Sequence, residues 1–283
     1  MECPGAGLQQ GWGVIAAWKL IEPPNLHDNK TMTHRLQLLQ ALDEMLVPDR
    51  FRDYGPNGLQ VEGAEQVLKI VSGVTASLAL IEAAIAAKAN AVLVHHGLFW
   101  RGQDIRIVGW MKQRLNLLLG HNINLYAYHL PLDAHPELGN NAQLGLRLGL
   151  TAQRRFGEQD LGFMGPAPDH AAFAHAQALA AHVEKVLNRK VILVGPKDTA
   201  IKNVAWCSGG AHSYFESAIA AGADAFITGE ISEPQAHYAR EMGVAFIACG
   251  HHASERYGAP AVAKALAERF GLQHEFIDID NPA

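Results

Sequence analysis

The sequence predicts an α/β fold of two pseudo-symmetric lobes, built from mostly parallel sheets flanked by helices. Three observations carry this expectation. Short apolar runs alternate with helix-period segments, the alternation occurs twice, and EAAIAAKANAVLV at Glu82 agrees with ESAIAAGADAFIT at Glu216 at most of their first ten positions. The repeat reads as an internal duplication; shared alanine, a good helix former, is the alternative source of the identity.

Taken in order, Leu36, Leu38, Leu39, Leu42, Met45 and Leu46 recur at helical spacing over Thr33 to Leu46, and Pro48 stops the run. DYGPNGLQVEG, Asp53 to Gly63, concentrates Gly, Pro and Asn and predicts a long loop. Val67 to Val74 reads as a strand, Ser77 to Ala89 as a helix with Ser77 as N-cap, and Ala91 to Val94 as a second strand. A helix at Val108 to Leu119 and a strand at Ile123 to Tyr128 continue the alternation, which favours a parallel sheet covered on both faces.

An alanine-rich helix at His170 to Leu187 and a strand at Val191 to Gly195 follow. The first order then returns: strand Val204 to Cys207, helix Tyr214 to Ala221, strand Ala225 to Thr228, helix Pro234 to Met242 and strand Val244 to Cys249. A helix at Pro260 to Phe270 and the strand HEFIDI close the chain. The expected organisation is a leader at 1–31, a first α/β lobe at 32–150 to which the C-terminal segment can return, and a second at 151–283. Pro4, Pro23 and Pro24 break any pattern in the leader, which reads as disordered or as a mis-assigned extension before a start at Met32.

With 283 residues, 49% of them apolar and 18% charged, the chain has the composition of an ordinary soluble globular protein. A net charge of −5, without a Lys/Arg-rich run, argues against nucleic acid as a partner. No apolar stretch approaches the roughly 20 residues a membrane span needs. Cys3, Cys207 and Cys249 are odd in number and widely separated, which fits a reducing, cytoplasmic setting rather than a disulfide framework.

In parallel α/β sheets ligands gather at the carboxyl ends of the strands. AVLV runs into His95, His96 and Gly97; LYAY runs into His129 and Asp133; VAFIAC runs into Gly250, His251, His252 and Glu255. Gly97 offers the freedom to turn both preceding imidazoles into one cleft, and His251 and Glu255, four apart, share a helix face. One such motif alone is commonplace; two His-His pairs at strand ends with carboxylates at short range predict a metal site. The five donors His95, His96, Asp133, His251 and Glu255 exceed a closed zinc site, so two divalent cations per subunit are expected, with zinc, iron, manganese and nickel undistinguished.

These residues carry a resemblance. DYGPNGLQVEG, VHHGLFW, YHLPLDAHPELGNNAQLG, DAFITGEISEPQAHYARE and GHHASERYG, in that order, resemble the Nif-three-like family, the GTP cyclohydrolase I type 2 group. The resemblance runs from about Thr33 to the C-terminus. It implies a two-lobe subunit, a ring-shaped homohexamer, and the same five ligands at dinuclear sites. It also implies GTP as a candidate small-molecule substrate, hydrolysed to formate and 7,8-dihydroneopterin triphosphate. His129, His237 and His252 are then candidate proton shuttles and Glu230 a base or hydrogen-bond partner, each with an alternative role in orienting a ligand. No GxxxxGK[ST] motif is present, so the Asp53 to Gly63 loop or basic residues near the cavity would have to hold the triphosphate. The competing functions are a non-catalytic metal-binding or metal-handling ring acting through protein partners and a DNA-encircling toroid, the latter disfavoured by charge.

Overall fold

The computed structural model describes residues 33–283, and the expected leader lies outside the described residues. Strand β1 (Thr33–His34) leads into helix α1 (Arg35–Leu46). His34 sets the helix start: its ring accepts from the Leu36 N–H at 3.1 Å while Gln37 Oε1 accepts from the His34 N–H at 2.9 Å. That exchange satisfies two amides a helix start would otherwise leave orphaned.

The expected Asp53 to Gly63 loop contains an edge strand, β2 (Gly58–Val61), hidden in the sequence by its Gly- and Pro-rich flank. The expected strand Val67 to Val74 is two, β3 (Gln66–Val67), which pairs with β1, and β4 (Lys69–Thr75). Helix α2 (Leu78–Ala86), strand β5 (Ala91–His96), helix α3 (Gly109–Gly120) and strand β6 (Asn124–Ala127) follow. Ser77 caps α2 as expected, its Oγ accepting from the Leu80 N–H at 3.2 Å. Strands β4, β5 and β6 are parallel neighbours and β2 adds antiparallel to β6.

The two-residue strand period sorts the side chains of this sheet. Val71, Val92, Val94 and Leu125 pack with Leu80 and Ile81 of α2 and Met111, Leu115 and Leu118 of α3. Ile70, Ala91, Leu93 and Tyr126 pack on the other face with Leu38 and Leu42 of α1. Both faces are buried, which is why β5 reads as an unbroken apolar run.

Two short helices, α4 (Leu130–Ala134) and α5 (Asn140–Leu148), lead to a second sheet. Strands β7 (Arg154–Phe156) and β8 (Gly162–Pro166) precede helix α6 (Ala176–Leu187), strand β9 (Ile192–Val194) and strand β10 (Asn203–Trp206). Helix α7 (Phe215–Ala220), strand β11 (Ala225–Thr228), helix α8 (Glu233–Met242) and strand β12 (Ala245–Ala248) then repeat the earlier order. The sheet runs β7-β8-β10-β11-β12-β9, parallel through β10, β11 and β12 and antiparallel at its edges. Helix α6 starts later than expected, after a 3₁₀ turn, where the His175 ring accepts from the Ala178 N–H at 3.2 Å.

The chain ends with α9 (His251–Glu255), α10 (Gly258–Phe270) and β13 (Gln273–Phe276). β13 pairs parallel with β4 of the first sheet, and Val262 and Leu266 of α10 join the face covered by α1. No helix among the described residues is long and apolar enough to cross a membrane.

Candidate metal centre

Both histidines of VHHG lie within β5, so Gly97 does not turn them; its backbone is not left-handed, and a Cβ there would collide with the Gln60 side chain. Instead they meet one carboxylate from two sides. His95 Nε2 lies 3.3 Å from Glu255 Oε1 and His96 Nε2 lies 3.4 Å from Glu255 Oε2, with the two rings 4.5 Å apart. His251 Nε2 adds a third imidazole, 3.3 Å from Glu255 Oε2, from the same face of α9. Asp133 Oδ1, from α4, is 3.5 Å from His95 Nε2.

The donors fall into overlapping groups: His95, Asp133 and Glu255; His96, His251 and Glu255; and His95, His96 and His129. All five sequence-predicted ligands are therefore brought together, and His129, expected as a proton shuttle, joins them. His237 does not: it pairs with Glu233 at 2.7 Å, half-exposed on α8. His252 bonds Asp278 at 2.8 Å, away from the clustered donors. Glu230 reaches the centre through His251, accepting from its Nδ1 at 2.6 Å.

Hydrogen bonds on the far side of each ring fix what it presents. His95 Nδ1 lies 3.1 Å from the Tyr128 carbonyl oxygen, which can only accept, so Nδ1 carries a proton and a neutral His95 turns its Nε2 lone pair towards two carboxylates. Glu230 holds His251 the same way, and Asp53 Oδ1 holds His129 Nδ1 at 2.7 Å. Such partners orient metal-bound imidazoles. Asp53 was not singled out from the sequence; it also accepts from the Leu130 N–H at 2.9 Å and the Asn57 amide at 3.0 Å, while Asn57 Oδ1 accepts from the His129 N–H at 2.7 Å. Its signal was the DYGPNG loop itself, where Asp and Asn are spaced to bond one turn.

The electrostatics are those of a site where imidazoles and carboxylates compete for charge. Burial would lower the His95 pKa, but Asp133 and Glu255 raise it to about 9; burial holds His96 down to about 3, with the charges of His95, His129 and His251 adding to the drop. His251 is raised to about 9 by Glu255 and Glu230 against its own burial. Burial raises Asp133, whereas Glu255, although burial opposes it, is held well below the carboxylate range by the surrounding imidazoles. Glu255 Oε2 is buried without a hydrogen-bond partner, although His96 Nε2 and His251 Nε2 lie 3.4 and 3.3 Å away. A buried acceptor among converging imidazoles is a place that could hold a divalent ion, which would displace the protons of His95 and His251. Gly209 keeps this space open: φ is 67°, and a Cβ would collide with Glu255 Oε1.

Beside the donors opens a cleft of about 320 Å³, lined by Tyr54, His129, Glu158, Cys207, Ser208 and Tyr214 among others. Asp133 is fixed at its floor by the Asn140 amide at 2.9 Å and the Ser208 hydroxyl at 3.1 Å. Burial pushes the Cys207 thiol up, out of the nucleophilic range.

The Duf34/NIF3 (NGG1p interacting factor 3) profile matches residues 33–282. The chain belongs to the Duf34/NIF3 family. A family relative from Neisseria meningitidis serogroup A, named GTP cyclohydrolase 1 type 2 homolog, is 51% identical over 252 residues, covering 89% of this chain and 100% of the relative. One of the same name from Allochromatium vinosum is 48% identical over 259 residues, covering 90% and 100%. Among solved structures, protein ybgI superposes with a TM-score of 0.84 at 47% identity over 89% of this chain and 100% of that one. A protein from Thermus thermophilus does so with a TM-score of 0.80 at 34% identity over 89% and 100%.

Proposed function

We propose that this family member is a dinuclear metal-dependent hydrolase of small nitrogen heterocycles, and that the observation carrying the reading is the partnerless Glu255 Oε2 facing His96 and His251, while Oε1 faces His95. Glu255 would be shared between two ions, one held with His95 and Asp133 and the other with His96 and His251, while His129, which groups with His95 and His96, would be a further donor beside them. Bound ions would supply Lewis acidity and lower the pKa of water. Asp53 and Glu230 keep His129 and His251 in the tautomer that offers Nε2, and Asn140 and Ser208 hold Asp133 in place.

The name shared by the relatives makes GTP the candidate substrate, with water opening the imidazole ring to give formate and 7,8-dihydroneopterin triphosphate. The cleft beside the donors favours catalysis over metal storage, since a storage site needs no adjoining room for a reactant. Assembly as a ring-shaped homohexamer is part of the proposal and is checked by light scattering. The decisive test is formate release from GTP and related heterocycles by metal-reconstituted protein. Turnover that disappears in Glu255→Ala with the fold retained supports hydrolysis; two retained metal equivalents with no turnover of any heterocycle favours the metal-handling alternative.

A further inference from the structure

The substrate's charge is legible in the cleft, an inference that rests on the hydrolase reading above. Four carboxylates, Asp53, Asp133, Glu230 and Glu255, touch the donor imidazoles or each other's partners, enough to balance two divalent cations. Glu158 then adds a surplus negative charge to the lining, and its carboxylate makes no ion pair among the described residues. No Lys or Arg lines the cleft among the described residues.

Two nearby guanidiniums, Arg155 and Arg101, are held by backbone carbonyls and do not line the cleft. Arg155 donates to the carbonyls of Ala134 at 3.1 Å and Asp160 at 3.3 Å and lies over the Phe163 ring; Arg101 donates to the Asp53 carbonyl at 2.8 Å. The Asp53 to Gly63 loop, the sequence's candidate for a phosphate cradle, brings a carboxylate to the site rather than a cation. The cleft does carry aromatic surface. Tyr54 presents an exposed ring whose edge meets His129 at 6.0 Å, and Tyr214 is half-buried, its ring against Gly157 and its hydroxyl donating to the Glu158 carbonyl at 3.3 Å. Burial raises the Tyr214 pKa, so the hydroxyl stays neutral. At about 320 Å³ the space is at the small end for ligand sites.

We infer that, against the GTP candidate taken from the relatives' name, the cleft selects an uncharged nitrogen heterocycle, as free base or nucleoside, over its phosphorylated forms, with Tyr54 and Tyr214 providing the stacking surface and Glu158 repelling anions. Stacking is indifferent to the phosphate, whereas an unpaired carboxylate in the lining penalises it.

The test is isothermal titration calorimetry of metal-reconstituted protein with guanosine, adenosine and cytidine and with their triphosphates, at fixed ionic strength. Metal content is measured before and after, which separates chelation by the triphosphate from binding. At least one nucleoside is expected to bind tenfold or more tightly than its triphosphate, and Glu158→Lys is expected to narrow or reverse that ratio. Tyr54→Ala should weaken that nucleoside about tenfold while Tyr54→Phe leaves it unchanged; Tyr54 is 59% exposed, so the fold tolerates both. A triphosphate that binds and turns over in preference to its nucleoside, with a ratio unmoved by Glu158→Lys, overturns this inference and leaves the hydrolase reading standing. No binding of any of the six compounds by protein that holds two metal equivalents overturns both.

Discussion

The carboxyl ends of β6 and β12 solve one problem with different degrees of support. Each inner parallel strand runs into a five-residue helix carrying a histidine and a carboxylate four positions apart, His129 and Asp133 in α4 with its preceding residue, His251 and Glu255 in α9. On the β6 side every group is tied down: His129 by Asp53 and Asn57, Asp133 by Asn140 and Ser208. On the β12 side His251 has only Glu230, whose side chain is 46% exposed, and Glu255 has no donors except imidazoles. One half is therefore organised before any ion arrives. On the proposed dinuclear reading the other half, with fewer fixed partners, should bind and release its ion more readily.

The largest expected effect comes from the group both halves share. Glu255→Gln should empty both positions, because a neutral amide cannot balance three converging imidazoles; loss of nearly all bound metal by elemental analysis, with unchanged far-UV circular dichroism, is the outcome to look for. Retention of one full equivalent would mean that Glu255 serves one side alone. The asymmetry is sharpened by comparing Asp53→Ala with Glu230→Ala in competition with a chromophoric chelator. Removing an orienting partner of a ligand costs about 10–100-fold in affinity. Asp53→Ala should fall near the upper limit, since it releases His129 and the loop together, and Glu230→Ala near the lower; equal effects would erase the distinction between the halves.

The smallest effect is a pH dependence. Without metal, His95 and His251 have pKa values raised to about 9, so below that pH an incoming ion displaces their protons, and affinity should climb as pH increases towards 9. The sign for stability is opposite. A raised imidazole pKa stabilises the metal-free fold fully below about 6.5, the ordinary value, and that contribution disappears as pH rises through about 9. Thermal unfolding midpoints of metal-free and metal-loaded protein should therefore diverge between those limits; parallel curves would place the protons elsewhere.

Much of this arrangement was readable in the sequence because the inner strands are buried on both faces and announce themselves as apolar runs, with the chemistry at their carboxyl ends. The two His-His pairs nevertheless do not fall at matching places in the order of elements. Aligning AVLV with AFIT sets His95 and His96 opposite Gly229 and Glu230, and in element order the segment after β12 with His251 and Glu255 corresponds to the segment after β6 with His129 and Asp133. Strands β7 and β8 escaped notice because three to five residues such as RRF carry no usable period. α4 and α9 are likewise too short for helical periodicity to show. The return of β13 to the first sheet is a pairing choice across about 200 residues, which local pattern cannot encode. Asp53 was missed for a related reason: its partner His129 lies 76 positions away, and a loop carboxylate has no periodic signature.

The proposed sharing of two ions by Glu255 is tested most directly by metal content per subunit, measured on protein purified without chelator, for the wild type and the His95→Ala/His251→Ala double variant. About two equivalents in the wild type, lost in the double variant while its far-UV spectrum is kept, is the expected result. A wild-type protein that holds no metal and takes up none on reconstitution would contradict it.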